Sequence, residues 1–422
     1  MTFLLSLSLV HAEEVRGQID WQAHPAMHIP WGFFRPGLTD DAPEVGAQHT
    51  FTQTMHGPYV EKSGVRILMA AAMAAERARN PVQARELILE QLRYVEDFVA
   101  AHPDRYAMAN TPAQARELLL TTDKQVVIHS IEGGRELFWR QADAAFWADQ
   151  GVALVTPTHL WDDELGGSAL LPGLLGRLLN PVAAGKRRRG EFRGLTPRGR
   201  EVLVELDQAG ILVDLTHMSP TSVEEALVIT AEHGIAPVVT HGHLNSIQAS
   251  EGGLFDAQII EIYRQGGVFN LPVGAEGLAP INPRLPQPEG YCPGTLDAFK
   301  WQYEAVGALL DQHLPELFGV SSRDELTETQ RTALAVGWSS DWNGWVSHSQ
   351  PKYGKGACHE ELPLDALDID TQGLAHPGLL PQHWQRLSEA GMDLDPMLRS
   401  AERFLQLWGQ AGSSGPTSRT GE

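Results

Sequence analysis

The sequence predicts an α/β fold built on a parallel sheet, and three observations support this prediction. Short runs rich in Val, Ile and Leu recur without the alternation of half-exposed strands, which is typical of parallel strands buried on both faces. Segments with helical periodicity, such as residues 199–210 and 221–233, separate these runs. The length of 422 residues fits a large (β/α)8 barrel with insertions, although one elaborated domain and two domains both remain open.

The first strand is expected near Asp20, ahead of Pro25. The six further predicted strands lie at residues 125–129, 152–156, 211–215, 237–240, 267–270 and 334–338. The helix at 221–233 has a clear start, because Ser219 and Pro220 supply an N-cap and a proline for the first helical position.

Three long segments interrupt the strand and helix pattern. They cover residues 25–60, 160–196 and 274–333, the last being Pro-rich first and then helical. Long loops in compact domains are often lids or binding segments, so we expect all three on the substrate side. The basic run at 186–189 is predicted to be a solvated loop, and residues 411–422 a disordered tail.

Composition excludes several classes of protein. With 32 Lys and Arg against 53 Asp and Glu, the formal net charge is −21, which argues against nucleic-acid binding. No apolar run approaches the roughly 18–20 residues of a transmembrane helix. Two cysteines, Cys292 and Cys358, allow at most one internal disulfide.

The N-terminal segment leaves the cellular compartment open. Residues 3–10 are apolar and precede a pattern like a signal cleavage site, but they lack the basic start of a secretory signal. Residues 1–12 are therefore predicted either as a secretory signal or as a frayed or β-forming N-terminus. A secreted or periplasmic location and a cytoplasmic one both remain open.

Imidazole and carboxylate side chains stand at the ends of the predicted strands. In chain order they are His24, Glu132, His159, His217, His241 and Asp341. In a (β/α)8 barrel the C-terminal ends of the strands meet on one face, where active sites are built. A mixture of imidazoles and carboxylates suits zinc or a similar divalent ion. The sequence therefore predicts a hydrolytic metal site.

Six motifs carry a resemblance to a known family. They are Ile-Glu-Gly-Gly at 131–134, Thr-His at 158–159, Gly-Leu-Thr-Pro-Arg-Gly at 194–199, Gly-Ile-Leu-Val-Asp-Leu-Thr-His-Met-Ser at 210–219, Pro-Val-Val-Thr-His at 237–241 and Ser-Asp-Trp-Asn-Gly at 340–344. In this order they resemble the renal or membrane dipeptidase family of the amidohydrolase superfamily, closely over residues 120–275 and again over 334–344. A weaker likeness covers 376–405.

The resemblance implies a fold and an activity. The fold would be a distorted (β/α)8 barrel over residues 13–410, with long loop insertions and a C-terminal helical extension. The activity would be metal-dependent hydrolysis of an amide bond in a small, dipeptide-like substrate, typically with two zinc ions and often in a homodimer.

The resemblance also assigns roles by position. Glu132 would bridge the two metals, and His217 and His241 would bind the second one. His159 would polarise the substrate or the tetrahedral intermediate. Asp341 would take a proton from the attacking water and deliver it to the leaving group, as a strand-end carboxylate beside a divalent ion can do.

The first strand departs from the family pattern. Where the family has Asp-x-His-x-Asp, this chain has Asp20, Gln22 and His24. A neutral amide oxygen binds zinc far less strongly than imidazole does, and His24 replaces a carboxylate with a neutral donor. The first metal site is therefore predicted to be weak or empty, unless His24 with His28 or another nearby histidine rebuilds it. One or two bound ions both remain open.

Substrate recognition departs as well. Gly252 stands where the dipeptidases have an Arg that holds the substrate carboxylate, and Glu251 beside it would oppose an anion. Unless Arg264 or the basic run at 186–189 substitutes, a free dipeptide C-terminus is not expected to be the recognised group. His243 and Asn343 are predicted as substrate-binding residues, with a plain loop role for His243 left open.

Two alternatives compete with a dipeptidase. One is another amidohydrolase reaction, on a lactone, ester or cyclic amide, with the same metal machinery. The other is a catalytically silent relative that binds a ligand. The presence of Asp341 with Glu132 and both second-site imidazoles favours an enzyme, because a pure binder does not need the acid/base carboxylate.

Overall fold

The computed structural model describes residues 14–31, 37–40, 55–73, 78–171, 177, 180–274, 285–344 and 346–413. The predicted signal at 1–12, parts of the three predicted insertions and residues 414–422 of the predicted tail lie outside the described residues. Eight parallel strands form the centre of the fold. They are β1 (Gln18–Ala23), β2 (Val65–Ala72), β3 (Gln125–Glu132), β4 (Val152–Thr156), β5 (Leu212–Val213), β6 (Val238–Val239), β7 (Val268–Pro272) and β8 (Val336–Ser339).

The strands form a nearly closed barrel. Their spatial order is β5-β4-β3-β2-β1-β8-β7-β6, so each strand pairs with its neighbours in the chain and β1 pairs with β8. A parallel bridge between Asp214 and Val238 brings the two ends of the path together. The predicted (β/α)8 barrel is confirmed. The sequence prediction omitted one strand, β2.

The distortion of the barrel lies at β5 and β6, which have two residues each. The side chain of Asp214, just after β5, accepts backbone N–H bonds from Thr216 and Thr240, each at 3.1 Å. The N–H groups of Thr216 and Thr240 therefore bond the buried carboxylate of Asp214 at the point where hydrogen bonds between β5 and β6 would otherwise continue.

Helices surround the barrel, as the strand and helix pattern predicts. Those described are His28–Trp31, Gly57–Lys62, Pro81–Ala101, Pro112–Thr121, Ala142–Asp149, Pro181–Arg187, Pro197–Gln208, Pro220–His233, Asp256–Arg264, Leu296–Gln312, Leu314–Phe318, Glu328–Ala333, Asp368–Gln372, Leu380–Glu389, Asp395–Leu398 and Ser400–Gln410, with 3₁₀ turns at Arg323–Glu325 and Pro377–Leu379. The predicted start of helix Pro220–His233 is confirmed, because the Ser219 side chain caps the N–H of Ser222.

Short strands lie outside the barrel path. Tyr106–Met108 pairs with β3, Leu38–Thr39 pairs with Met55–His56, and His243–Leu244 pairs with Gly253–Leu254.

The helix Ser400–Gln410 covers the N-terminal end of the barrel. Its Glu402 accepts the N–H of Val15, ahead of β1, at 3.0 Å, and its Arg403 donates to the carbonyl of Gly266, ahead of β7. The ring of Phe404 meets that of Trp21 edge to face at 5.4 Å. Apolar residues from all the strands but β8 share one buried cluster with this helix. The predicted C-terminal helical extension is confirmed, and it leaves the opposite end of the barrel for a site.

A disulfide joins the segments that follow β7 and β8. Cys292 and Cys358 are bonded, with their Cα atoms 6.0 Å apart. Lys352 forms an ion pair with Asp297 at 2.9 Å between the same two segments. Every helix in the described parts of the chain is too short or too polar to cross a lipid bilayer.

Candidate active site

Glu132, the last residue of β3, lies at the centre of a cluster of imidazoles. Its Oε1 is 3.0 Å from Nε2 of His217, and its Oε2 is 3.0 Å from Nε2 of His24. The side chain is only 3% exposed. The chain turns sharply behind it, because Gly133 adopts a φ of 87°, which favours glycine. The two carboxylate oxygens thus face two different groups of ligand atoms.

One group of ligand atoms belongs to Glu132, His217 and His241. Nε2 of His241 lies 2.9 Å from Nε2 of His217 and 3.6 Å from Oε1 of Glu132. Ligands at about 2.0–2.1 Å from a tetrahedral zinc lie roughly 3.3 Å apart, so these separations fit one divalent ion. We call this group the second metal site, after its place in the family pattern.

A hydrogen-bond chain behind His241 sets its tautomer. Thr240 donates its hydroxyl proton to Asp214 at 2.8 Å, so the same oxygen accepts from Nδ1 of His241 at 2.9 Å. Nε2 is then left with a free lone pair, which is the arrangement of a metal-binding histidine. Asp214 and Thr240 are not among the predicted site residues, although Asp214 lies within the motif at 210–219.

The other group of ligand atoms belongs to His24, Glu132 and Asp341. Nε2 of His24 lies 3.0 Å from Oε2 of Glu132 and 3.1 Å from Oδ1 of Asp341, and the three ligand atoms lie within 4.8 Å of one another. The amide nitrogen of Gln22 is 3.3 Å from the same Nε2. We call this group the first metal site. It shares Glu132 with the second.

The backbone holds Asp341 in a constrained position. Asp341 has a φ of 51° and His217 a φ of 64°, values that are uncommon for non-glycine residues and that cluster at functional sites. Ser340, just ahead of Asp341, donates its N–H to the buried Asp20 at 2.8 Å. A Cβ on Gly344 would lie 1.9 Å from Oδ1 of Asp341, so only glycine leaves room for this carboxylate.

His159 lies at the edge of the cluster. It follows β4, its Nε2 is 3.7 Å from Oε2 of Glu132, and its ring meets the His217 ring edge to face at 4.6 Å. The structure thus brings six of the predicted site residues together at the C-terminal ends of the strands: His24, Glu132, His159, His217, His241 and Asp341.

Burial and hydrogen bonding pull the pKa values of these groups in opposite directions. Burial would raise the pKa of Glu132, but the imidazoles of His159, His217 and His24 hold it well below its usual range. Burial lowers the pKa of His241 to about 3. Burial opposes the charged form of His24, yet hydrogen bonds to Asp341 and Glu132 raise its pKa to about 10. Burial raises the pKa of Asp341, against the hydrogen bond from His24.

Three other predicted residues have partners of their own. Nε2 of His243 bonds Ser250 at 2.8 Å, and burial lowers the pKa of His243 to about 4. The amide of Asn343 donates to the backbone carbonyl of His24 at 3.3 Å. His28 packs its ring against Tyr94 and belongs to neither group of ligand atoms found among the described residues.

The expectation that the basic run at 186–189 is wholly solvated is wrong for Arg187. Its side chain is 7% exposed, pairs with Glu251 at 3.0 Å and donates to the carbonyl of Ser168 at 3.0 Å. Glu251 also accepts the N–H of Leu170. Because the N–H of Ala169 bonds the carbonyl of His217, the Arg187–Glu251 pair holds loops next to a predicted ligand.

Of the basic residues that could replace the family arginine, Arg187 and Arg264 are both paired with carboxylates. Arg187 reaches the neighbouring Glu251, which balances its charge. Arg264 pairs with Glu261 of its own helix and with Glu316 of helix Leu314–Phe318. A Cβ at Gly252 would lie 3.8 Å from Cε1 of His243, in ordinary contact with that ring.

Replacing Arg187 should destabilise the fold. Arg187→Met leaves Glu251 largely buried without its partner, and we expect the free energy of unfolding in urea to fall by about 3 kcal/mol. Arg188→Met, at an exposed neighbour, is the matched control and should change it by less than about 0.5 kcal/mol. Adding Glu251→Gln to Arg187→Met should recover part of the loss. If Arg187→Met and Arg188→Met lowered the free energy of unfolding equally, the structural role of the Arg187–Glu251 pair would be contradicted.

A comparison with known families decides the relationship of this chain. The family model of the membrane dipeptidases, peptidase family M19, matches residues 38–307, which is more than half of the sequence. The chain belongs to the membrane dipeptidase family. The matched residues include Glu132, His159, His217 and His241, whereas the divergent β1 and the segment with Asp341 lie outside them.

Solved structures of similar fold include three peptidases. A metallopeptidase from Rhodobacter sphaeroides, in complex with a phosphinate mimic of the dipeptide L-Ala-D-Ala, has a TM-score of 0.60 and 16% identity, covering 94% of this chain and 100% of that one. Dipeptidase AC of family M19 has a TM-score of 0.59 and 16% identity, covering 94% of this chain and 99% of that one. A probable dipeptidase from Pseudomonas aeruginosa has a TM-score of 0.59 and 15% identity, covering 95% of this chain and 96% of that one.

Family membership confirms the predicted enzyme class. The chain is a metal-dependent, dipeptidase-like hydrolase, and its family implies a divalent metal ion. This favours an enzyme over the silent ligand-binding relative. The two groups of ligand atoms that share Glu132 are the candidate places for the ion.

Proposed function

We propose that this protein hydrolyses the amide bond of a dipeptide or a closely related small molecule, with zinc at the second metal site and Asp341 as the acid/base group. The observation that carries the proposal is the convergence of His217, His241 and Glu132, with Asp341 joined to the same glutamate through His24. Two imidazoles and one carboxylate are a ligand set of catalytic zinc, which keeps its fourth position open.

Each residue has a part in the reaction. When bound, a divalent ion supplies Lewis acidity and lowers the pKa of water to about 7. Asp341 accepts the proton of the attacking water and delivers it to the leaving amine, which requires the buried carboxylate to change its protonation state. His159 donates a hydrogen bond to the substrate oxygen as negative charge develops there. Thr240 and Asp214 keep His241 in the required tautomer.

Recognition of the substrate differs from that implied by the family. Gly252 carries no charge, and Arg187 is paired with Glu251. We therefore propose that the free carboxylate of a dipeptide contributes little to binding. His243 and Asn343 remain proposed contacts at the edge of the site, beside their partners Ser250 and His24.

The test compares L-Ala-D-Ala with its C-terminal amide, before and after removal of metal with a chelator. We expect both substrates to be cleaved, with kcat/KM values within about tenfold of each other because no strong charge pair is lost. Dialysis against a chelator should abolish both activities, and zinc should restore them. Failure to cleave any of a panel of dipeptides in the zinc-loaded state would contradict the proposed function.

Other features implied by the resemblance remain predictions. They are the single domain over 13–410, the homodimer and the cellular compartment. Light scattering of the purified protein would measure its oligomeric state directly.

A further inference from the structure

We propose that His348 is a positioning residue, which holds the turn after β8 so that the carboxylate of Asp341 stays where proton transfer requires it. The inference rests on the proposed function for the acid/base role of Asp341. His348 lies in the loop after β8, is fully buried and belongs to neither group of ligand atoms found among the described residues.

The turn that carries Asp341 has an unusual backbone conformation. The φ angles are 51° at Asp341 and 65° at Asn343, and such values persist in non-glycine residues only where the surroundings fix them. The carbonyl of Ser340 belongs to the peptide plane that leads into Asp341, and Trp342 follows directly. Contacts to Ser340 and Trp342 therefore decide where the carboxylate of Asp341 lies.

His348 contacts both neighbours of Asp341. Its Nε2 lies 2.7 Å from the carbonyl oxygen of Ser340, and its ring stacks on the ring of Trp342 with the centroids 3.7 Å apart. A carbonyl oxygen only accepts hydrogen bonds, so Nε2 carries the proton and donates it. Ser340, Trp342 and His348 are each at most 1% exposed, so water does not compete for these contacts.

The loop that carries His348 is tied to the end of the neighbouring strand. His348 forms an antiparallel bridge with Gly274, which lies just beyond β7. The hydroxyl of the next residue, Ser349, donates to the carbonyl of Val273 at 3.2 Å. The imidazole therefore connects the end of β7 to the turn after β8.

Ser340 is held from two directions. Its N–H donates to the carboxylate of Asp20 at 2.8 Å, and its carbonyl accepts the hydrogen bond from His348. Removing His348 would leave this buried carbonyl without its donor, which favours a change in the turn that finds another one. A displacement of about 1 Å in a reacting group can cost about 100-fold in rate.

The kinetic test compares three variants with L-Ala-D-Ala as substrate. His348→Phe keeps a flat ring on Trp342 but removes the donor, whereas His348→Gln places an amide N–H near the position of Nε2. We expect kcat to fall about 100-fold in His348→Phe, with KM within about twofold, and to stay within about fivefold of wild type in His348→Gln. His383→Phe makes the same change at another fully buried histidine, which packs on Phe299 and Trp384, and should keep the wild-type kcat.

A double variant shows whether the effect passes through Asp341. In the Asp341→Asn background, His348→Phe should change the remaining kcat by less than about twofold, because the group that it positions no longer transfers protons. Equal fold losses in both backgrounds, or a wild-type kcat in His348→Phe, would overturn the inference. Circular dichroism and elemental analysis check that each variant is folded and keeps its metal, and His348→Leu replaces His348→Phe if the latter does not fold.

A structural readout needs no turnover. In crystal structures of the wild type and the two His348 variants, we expect the carboxylate of Asp341 to move by about 1 Å or more in His348→Phe and to keep its place in His348→Gln. An unmoved carboxylate in His348→Phe would overturn the inference, whatever the rates. A displaced carboxylate in a protein whose wild type cleaves no dipeptide would support the inference and overturn only the proposed function.

Discussion

The variant Asp341→Asn is expected to lower kcat for dipeptide hydrolysis by about 1,000-fold, with little change in KM, because it removes a proton acceptor and donor but keeps the shape of the side chain. The backbone N–H of residue 341 still donates to the carbonyl of Gln22 at 2.7 Å, so the loop after β8 keeps its position. Since the proposed ion is bound by Glu132, His217 and His241, metal content should stay at the wild-type level.

The control for this variant is Asp149→Asn, at an exposed carboxylate of helix Ala142–Asp149, which should have wild-type kinetics. Steady-state rates and metal analysis of the same samples separate a catalytic effect from loss of the ion. If Asp341→Asn kept more than a tenth of the wild-type kcat, another group would have to carry the proton. If it lost the metal, Asp341 would be a ligand.

Loss of a metal ligand should have the other large effect. His241→Ala removes one of three protein ligands, and we expect bound metal to fall below about a tenth of an equivalent and hydrolysis to fall more than about 1,000-fold. The stabilisation that metal adds to the wild type should disappear, because an ion that binds only the folded state raises the midpoint of thermal unfolding.

His243→Ala is a matched control for His241→Ala. The two histidines are two residues apart, but Nε2 of His243 bonds Ser250. We expect His243→Ala to bind metal as wild type does and to keep the metal-dependent rise in unfolding temperature. Equal loss of metal in both variants would show that the loop, rather than the imidazole of His241, is responsible.

The strand-end residues show how much of the site the sequence predicted. Parallel strands of a barrel bring their C-terminal ends together, so the position of Glu132, His217, His241 and Asp341 in the chain predicts their convergence. The same logic could have included Asp214, which stands one residue after β5.

Other features depend on contacts that a single sequence does not reveal. Residues 65–72 include Leu, Met and three Ala, which are good helix formers, so tertiary pairing decides that this segment is β2. Arg187 lies in a run of four basic residues, and its burial requires Glu251, which is 64 residues away. His24 follows an irregularity in β1 between Asp20 and Ala23, where the pairing register with β2 shifts, and a single sequence does not reveal such a shift.

The most direct test of this account is a stepwise version of the metal-restoration assay. Metal-free protein receives zinc in small portions, and hydrolysis of L-Ala-D-Ala is measured after each addition. The account predicts that activity rises linearly and levels off at about one zinc ion per chain. A rise that continues to two ions would contradict catalysis with zinc at the second metal site alone, and no activity at any zinc content would contradict the proposed hydrolysis itself.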